Sequence, residues 1–328
     1  CRWKINKINM NIKHFFLLIL LFFSSVTFVM PWGFYAHKLA NRYAVFTLPE
    51  QLIGFYKKHI DFLTEHSVDA DKRRYAIRAE APRHYIDIDY YGEDPFIIMP
   101  RQWDDAVNKF TVDTLFTYGI LPWHIEIIYN RLVSSFENRD VNYILKYSSD
   151  LGHYISDAHV PLHTTLNYDG QFTNQNGIHA FWETRLPEIF AEEYDFLVGS
   201  SEYRSSALDF AWETIEDSYN CIDSVLDFEK NVSRDYPRDR QYSYESRGKR
   251  TIKQKSAGYS EAYHLLLNGM VERRLQLSIS AIGDLWYSAW IDAGEPILDG
   301  MIDSETPFIE EIKIDNKITI DDARNHRN

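Results

Sequence analysis

Five residues between positions 151 and 186 have the types and spacing of a chelating site: His153, Asp157, His163, His179 and Glu183. His153 and Asp157 are four residues apart, as are His179 and Glu183, so on a helix each pair shares a face and can grip one ion. One such pair is often no more than a surface pair. Two of them with His163 between, all within 31 positions, point to metal. Imidazole and carboxylate ligands without thiolates suit zinc ahead of manganese or iron. Clustered divalent ions suit phosphoester hydrolysis, because they acidify a bound water, neutralise phosphate oxygens and stabilise the leaving oxygen.

The elements that must position these residues read as helices. Trp103, Ala106, Val107 and Phe110 follow the i, i+3, i+4, i+7 pattern, as do Leu275, Ile279, Ile282, Trp286 and Ala289. Gly119 and Pro122 separate a helix over 102–118 from one over 123–137. Further helices are expected over about 32–47, 50–65, 140–159, 179–195, 202–228 and 257–292, with long loops at 66–101 and 164–178. Tyr85 to Asp89 is the best alternating strand pattern, and it is short. The fold expected is all-α, a single multi-helix domain.

The 328 residues are 45% hydrophobic and 15% aromatic, enough for a sizeable core and unlike a disordered chain, collagen or a coiled coil. Residues 1–31 read as upstream residues plus an export signal, with Lys13 before the apolar run Phe15–Phe23. Export to the periplasm or the medium is expected; the run is short for a membrane anchor. Without this segment the net charge falls from −13 to −17, so an anionic substrate would need local positive charge from metals or basic side chains. Cys1 lies upstream of the signal, leaving Cys221 as a single thiol expected to be buried and inert. Segment 229–257 has a local balance of +5 with Tyr236, Tyr242 and Tyr244 interleaved; it reads as a solvated loop or as an anion-facing flap. From 296 to 328 the chain is a polar, acidic tail.

The order H-x3-D-x5-H-x15-H-x3-E, with Pro161 two residues before His163, resembles the superfamily of bacterial zinc-dependent phospholipases C and single-strand-specific zinc nucleases. The resemblance runs from Trp32 to about Ala293 and includes WGFYAH, with Trp32 and His37, and the pair Asp71 and His84. It implies an all-α domain over 32–295 with a trinuclear zinc cleft. Carried over by motif, Asp71, His84, His153 and Asp157 correspond to the ligands of a first zinc, and His163, His179 and Glu183 to those of a second. Asp157 would bridge to a third, shared with His37 and with the amine and carbonyl of Trp32. That chelate needs Trp32 as the mature first residue, and Asp69 competes with Asp71 for its place.

The resemblance further implies a metal-bound hydroxide attacking phosphorus, with Asp71 orienting or deprotonating it. Glutamate as the last ligand and the approach Gly177-Ile178-His179 resemble the phospholipase branch. The nuclease branch usually carries an Asp there and a D-x-G-G-N loop before it, which this chain lacks. Phospholipid is therefore the expected substrate and single-stranded nucleic acid the alternative. A metal-stabilised helical binding protein without turnover is a third reading. Phe34, Tyr35, Phe181 and Trp182, beside the ligands in sequence, are candidates for an apolar approach to the metals. His159 and His124 read as supporting or packing residues. No protein partner is implied, and a monomer is expected.

Overall fold

The computed structural model describes residues 33–247, 250–298 and 301; the expected export signal, Trp32 and most of the expected tail lie outside the described residues. Helices dominate: α1 Phe34–Ala44, α2 Glu50–Lys58, α3 Ile60–His66, α4 Asp69–Arg73, α5 Leu121–Glu137, α6 Val141–Ala158, α7 Ala207–Tyr219, α8 Ile222–Asp235, α9 Ala257–Leu266 and α10 Met270–Asp292, with shorter pieces between. One antiparallel hairpin, β1 Tyr242–Arg247 and β2 Arg250–Lys255, is the only sheet among the described residues. The all-α expectation therefore holds. Among the described residues no helix is long and apolar enough to cross a membrane.

The central strut is α6. Asp140 caps it by accepting from the amides of Asn142 and Tyr143, and every residue from Ser148 to Ala158 is buried. A helix buried all round needs partners on every side. Here they are α1, α3, α5 and α10. Two glycines permit close approaches to α1 and the turn that follows it. A Cβ on Gly152 would stand 2.3 Å from Asn41 Oδ1 of α1, and one on Gly283 would stand 1.9 Å from Thr47 Oγ1. Gly152 immediately precedes His153, and Asn41 lies one turn after His37, so this crossing brings two candidate ligands together. Their rings stack with centroids 4.1 Å apart.

Several expected helices are interrupted. Thr111, at φ 69°, separates Trp103–Phe110 from Val112–Tyr118; Asn268 and Gly269, both left-handed, separate α9 from α10. The expected helix over 202–228 starts at Ala207 and breaks at Asn220 and Cys221. The loop expected at 66–101 contains α4 and short helical pieces at Arg78–Arg83, Ile88–Tyr91 and Pro95–Ile98. Tyr85–Asp89 is not a strand: the Ile86 amide donates to the His163 carbonyl and the Asp87 amide to Tyr118, two separate segments that form no ladder. Segment 229–257 is not wholly loop: it is the end of α8, a short turn and the hairpin. Leu298, in the expected peripheral tail, is buried, and Pro296 accepts from the Trp290 indole. Cys221 is half-buried, with its thiol donating to the Asp217 carbonyl.

Candidate metal centre

His179 and Glu183 stand on a helical stretch opened by Gly177 in the left-handed conformation. From Phe181 to Arg185 this stretch is a π-turn, in which the Leu186 amide bonds back to the Phe181 carbonyl. Pro187 accounts for it: proline has no amide for the Glu183 carbonyl four residues earlier and its ring clashes with that carbonyl, so the turn widens. His163 comes from the one-turn piece Pro161–Thr164. Its Nε2 lies 3.3 Å from Glu183 Oε2 and 3.1 Å from His179 Nε2, and His179 Nε2 lies 3.1 Å from the same oxygen.

The hydrogen bonds on the far side of each ring decide what this triangle is. His163 Nδ1 donates to the His84 carbonyl and His179 Nδ1 to the Tyr168 carbonyl. A carbonyl only accepts, so each Nδ1 carries a hydrogen, and each neutral ring turns an Nε2 lone pair toward the carboxylate. Three acceptors at 3.1–3.3 Å require a cation between them, either a proton or a metal ion. Tetrahedral coordination with bonds of about 2.0–2.1 Å has edges of about 3.3 Å, so the triangle has the size of one coordination face.

A second assembly joins α1, α4, His84 and α6. His84 Nδ1, His153 Nε2 and Asp157 Oδ2 form a similar triangle with sides of 2.9, 3.0 and 3.3 Å. Asp71 Oδ1 stands 3.9 Å from His84 Nδ1 and 4.0 Å from His153 Nε2, and also accepts from Arg74. His153 Nδ1 donates to the Ser67 carbonyl at 2.8 Å, which again frees Nε2 as a lone pair. The other oxygen of Asp157, Oδ1, faces His37 Nε2 at 3.4 Å. Asp157 thus touches two groups with its two oxygens. Three sets could hold a metal ion: His37, His153 and Asp157; Asp71, His84 and His153; His163, His179 and Glu183.

Electrostatics follow the geometry. Burial works against charge on His153 and His163, but for His153 the carboxylates Asp157 and Asp71, and for His163 Asp157 and Glu183, outweigh it and hold both rings up to about 9. Burial and then the neighbouring His153 push His37 down to about 4, so it stays neutral. Asp157 would be raised by burial, yet the adjacent imidazoles hold it well below the carboxylate range, and Glu183 is likewise lowered by His179 and His163. Each anionic acceptor is therefore matched by rings able to bind one shared cation.

Every ligand expected from sequence within the described residues joins this centre; Trp32 lies outside them. Asp71 faces the rings, whereas Asp69 pairs with His66 at 2.6 Å and Lys72 at 2.7 Å. His159 is buried, donating Nδ1–H to Ile155, and His124 packs edge-on against Tyr154. Phe34 and Phe181 do not form the expected apolar approach: both are buried, and Phe181 stacks on Tyr263 in a second core around Tyr259 and Leu267, whereas Trp182, though largely buried, lines a pocket with His37 and Glu183, and Tyr35 is 37% exposed. On a helix Phe181 lies about 200° from His179, so neighbours in sequence point apart. Two further aromatics of this region are more exposed, Tyr168 at 52% and Phe172 at 70%, on the loop whose Tyr168 carbonyl anchors His179. The carbonyl anchors themselves had no signal in sequence, since any residue type supplies a carbonyl.

A scan of protein-family models finds none that matches this chain, and a search of curated proteins finds no match either.

Proposed function

We propose that this chain is an exported zinc-dependent phosphoric diester hydrolase of the superfamily its motifs resemble, acting on phospholipids as a phospholipase C. The observation that carries the proposal is the convergence of His163, His179 and Glu183, with both imidazoles anchored by backbone carbonyls so that three acceptors meet within 3.3 Å. One zinc would be held there, one by Asp71, His84, His153 and Asp157, and a third by His37 and Asp157 with the Trp32 amine. When bound, such ions acidify water, neutralise phosphate oxygens and ease departure of the leaving oxygen. Asp71, beside the rings and in the middle of α4, would orient an incoming water and accept its proton. Glu183 as last ligand, the Gly177 approach and the exposed Tyr168 and Phe172 favour a lipid substrate.

The test is turnover of zinc-loaded protein on phosphatidylcholine, other phospholipids and single-stranded DNA side by side. Lipid cleavage lost on chelation supports the proposal; inert zinc-loaded protein would favour a binding protein without turnover.

A nuclease reading is favoured by one observation. The outward face of the hairpin presents Tyr242 and Tyr244, with Lys253 4.1 Å above the Tyr242 ring, a surface on which bases could stack beside positive charge. The inner face is tied to the ligand helix through Arg185 and Glu245 at 2.6 and 3.2 Å. If this face and the turn Arg238–Arg240 before it carry DNA, replacing Arg238, Arg240 and Lys253 with Ser should weaken DNA cleavage and flatten its salt dependence, because fewer counterions are released.

A further inference from the structure

His84 presents Nδ1 to the candidate centre, so as a neutral ligand it must carry its proton on Nε2. That nitrogen is buried and has no hydrogen-bond partner among the described residues. The acidic group facing it is Glu80, whose Oε1 stands 3.9 Å away and whose side chain is fully buried. A buried carboxylate is costly unless paired. Glu80 is paired on both sides: Arg83 Nη1 donates to Oε2 at 2.6 Å, Arg73 Nε to Oε1 at 3.2 Å, and the Tyr154 hydroxyl also donates to Oε1. Arg73 is held in turn by Asp150 at 3.0 Å, and Asp150 by Lys146 at 2.6 Å. Tyr154, on α6 next to His153, packs its ring against both His84 and His153.

We infer that Glu80 is a positioning residue for the metal centre: its carboxylate, fixed between Arg73 and Arg83, faces Nε2–H of His84 and favours the tautomer in which Nδ1 is free to bind metal. The ring has two tautomers, and a full negative charge beside Nε2 stabilises the one with hydrogen there. Metal at Nδ1 makes that N–H more acidic and more strongly attracted to the carboxylate. Carboxylates behind metal-bound imidazoles generally raise ligand basicity and fix ring orientation. The inference rests on the metal-centre reading and not on any catalysed reaction.

The test measures zinc affinity of the full chain by competition with a chelator of known strength, following both the tighter and the weaker binding steps. Glu80→Gln keeps the shape and removes the charge; it should weaken one binding step 10- to 100-fold and leave the step abolished by His179→Ala unchanged. Because Glu80→Gln also disturbs a buried ion network, Arg83→Gln serves as the control. It breaks the same network while leaving a carboxylate opposite His84, so it should lower the melting temperature with little loss of zinc affinity. The imidazole N–H resonances of zinc-loaded protein, read by NMR, should place hydrogen on Nε2 of His84. Equal losses in Glu80→Gln and Arg83→Gln, or no loss in Glu80→Gln, would overturn the inference even if hydrolysis is found. A wild-type chain that binds no zinc would overturn it together with the centre, whereas a chain that binds zinc but hydrolyses nothing would leave it standing.

Discussion

His163 donates its Nδ1–H to the backbone carbonyl of His84, and the Ile86 amide donates back to the His163 carbonyl at 2.9 Å. One candidate ligand is thus oriented by the main chain of another that belongs to a different group. The two halves of the centre share a brace.

Removing either His163 or His179 should therefore have different consequences. His179→Ala is expected to lower bound zinc by one ion, because three-ligand sites seldom survive loss of a ligand. His163→Ala should lose that ion and also weaken the His84 group several-fold. Elemental analysis with chelator competition measures both, and identical affinities at the remaining group would refute the shared brace.

Zinc uptake should depend on pH with a definite sign. His153 and His163 are raised to about 9 in the metal-free chain, above the ordinary histidine value of about 6.5. Protonation of these rings favours the folded, metal-free chain fully below pH 6.5, and that contribution is lost as pH rises through 9. Below 9 a metal must displace these protons, so zinc affinity should climb with pH and level off near 9. Calorimetry in buffers of different ionisation heat should detect proton release at pH 7; binding without release would contradict this.

Asp87 offers a second pH test. Burial, then the neighbouring Asp89, raise it to about 7, while Asp89 itself is pinned by Thr165 and the Leu166 amide. A raised acid favours the fold below its unfolded value near 3.9, and that advantage disappears as pH climbs through 7. In chelator-treated protein Asp87→Asn should gain about 2–4 kcal/mol over wild type at pH 8. The two proteins should converge below pH 4, as urea melts at both pH values would show.

Gly152→Ala should destabilise the chain by about 1–3 kcal/mol, since the new Cβ meets Asn41, whose side chain is buried and has little room to move. The displaced helix carries His37, so the same variant should weaken metal binding at the His37 and Asp157 pair. Thermal melts with and without zinc separate the two effects. An unchanged melting temperature would mean the crossing is looser than described.

Phe181→Ala should act through the core, costing about 3–5 kcal/mol by loss of the stack on Tyr263. Phe172→Ser should leave stability nearly unchanged, its side chain being largely exposed, and should reduce turnover of aggregated lipid if that loop meets the substrate. Comparing melts with lipid assays distinguishes a core residue from a surface one.

Sequence alone determined the helical class and the local ligand pairs. Helical periodicity and an i, i+4 offset are properties of one segment, so His153 with Asp157 and His179 with Glu183 were legible before any tertiary contact was known. The break at Thr111 and the failure of Tyr85–Asp89 to form a strand were not legible, because they depend on which distant carbonyls and surfaces are within reach. For Asp71 and Asp69 the A-D-x-x-R context favours Asp71 but leaves Asp69 open. Both acids lie on α4, and only the positions of His66, His84 and His153 send one inward to the rings and the other to a surface pair. Tertiary structure also decided the chemistry of the rings, since the carbonyls of Ser67, His84 and Tyr168 and the carboxylate of Glu80 come from elsewhere in the chain. An imidazole becomes a metal ligand only when its other nitrogen is held in the right protonation state, and no residue type in the linear sequence records where a backbone carbonyl will point.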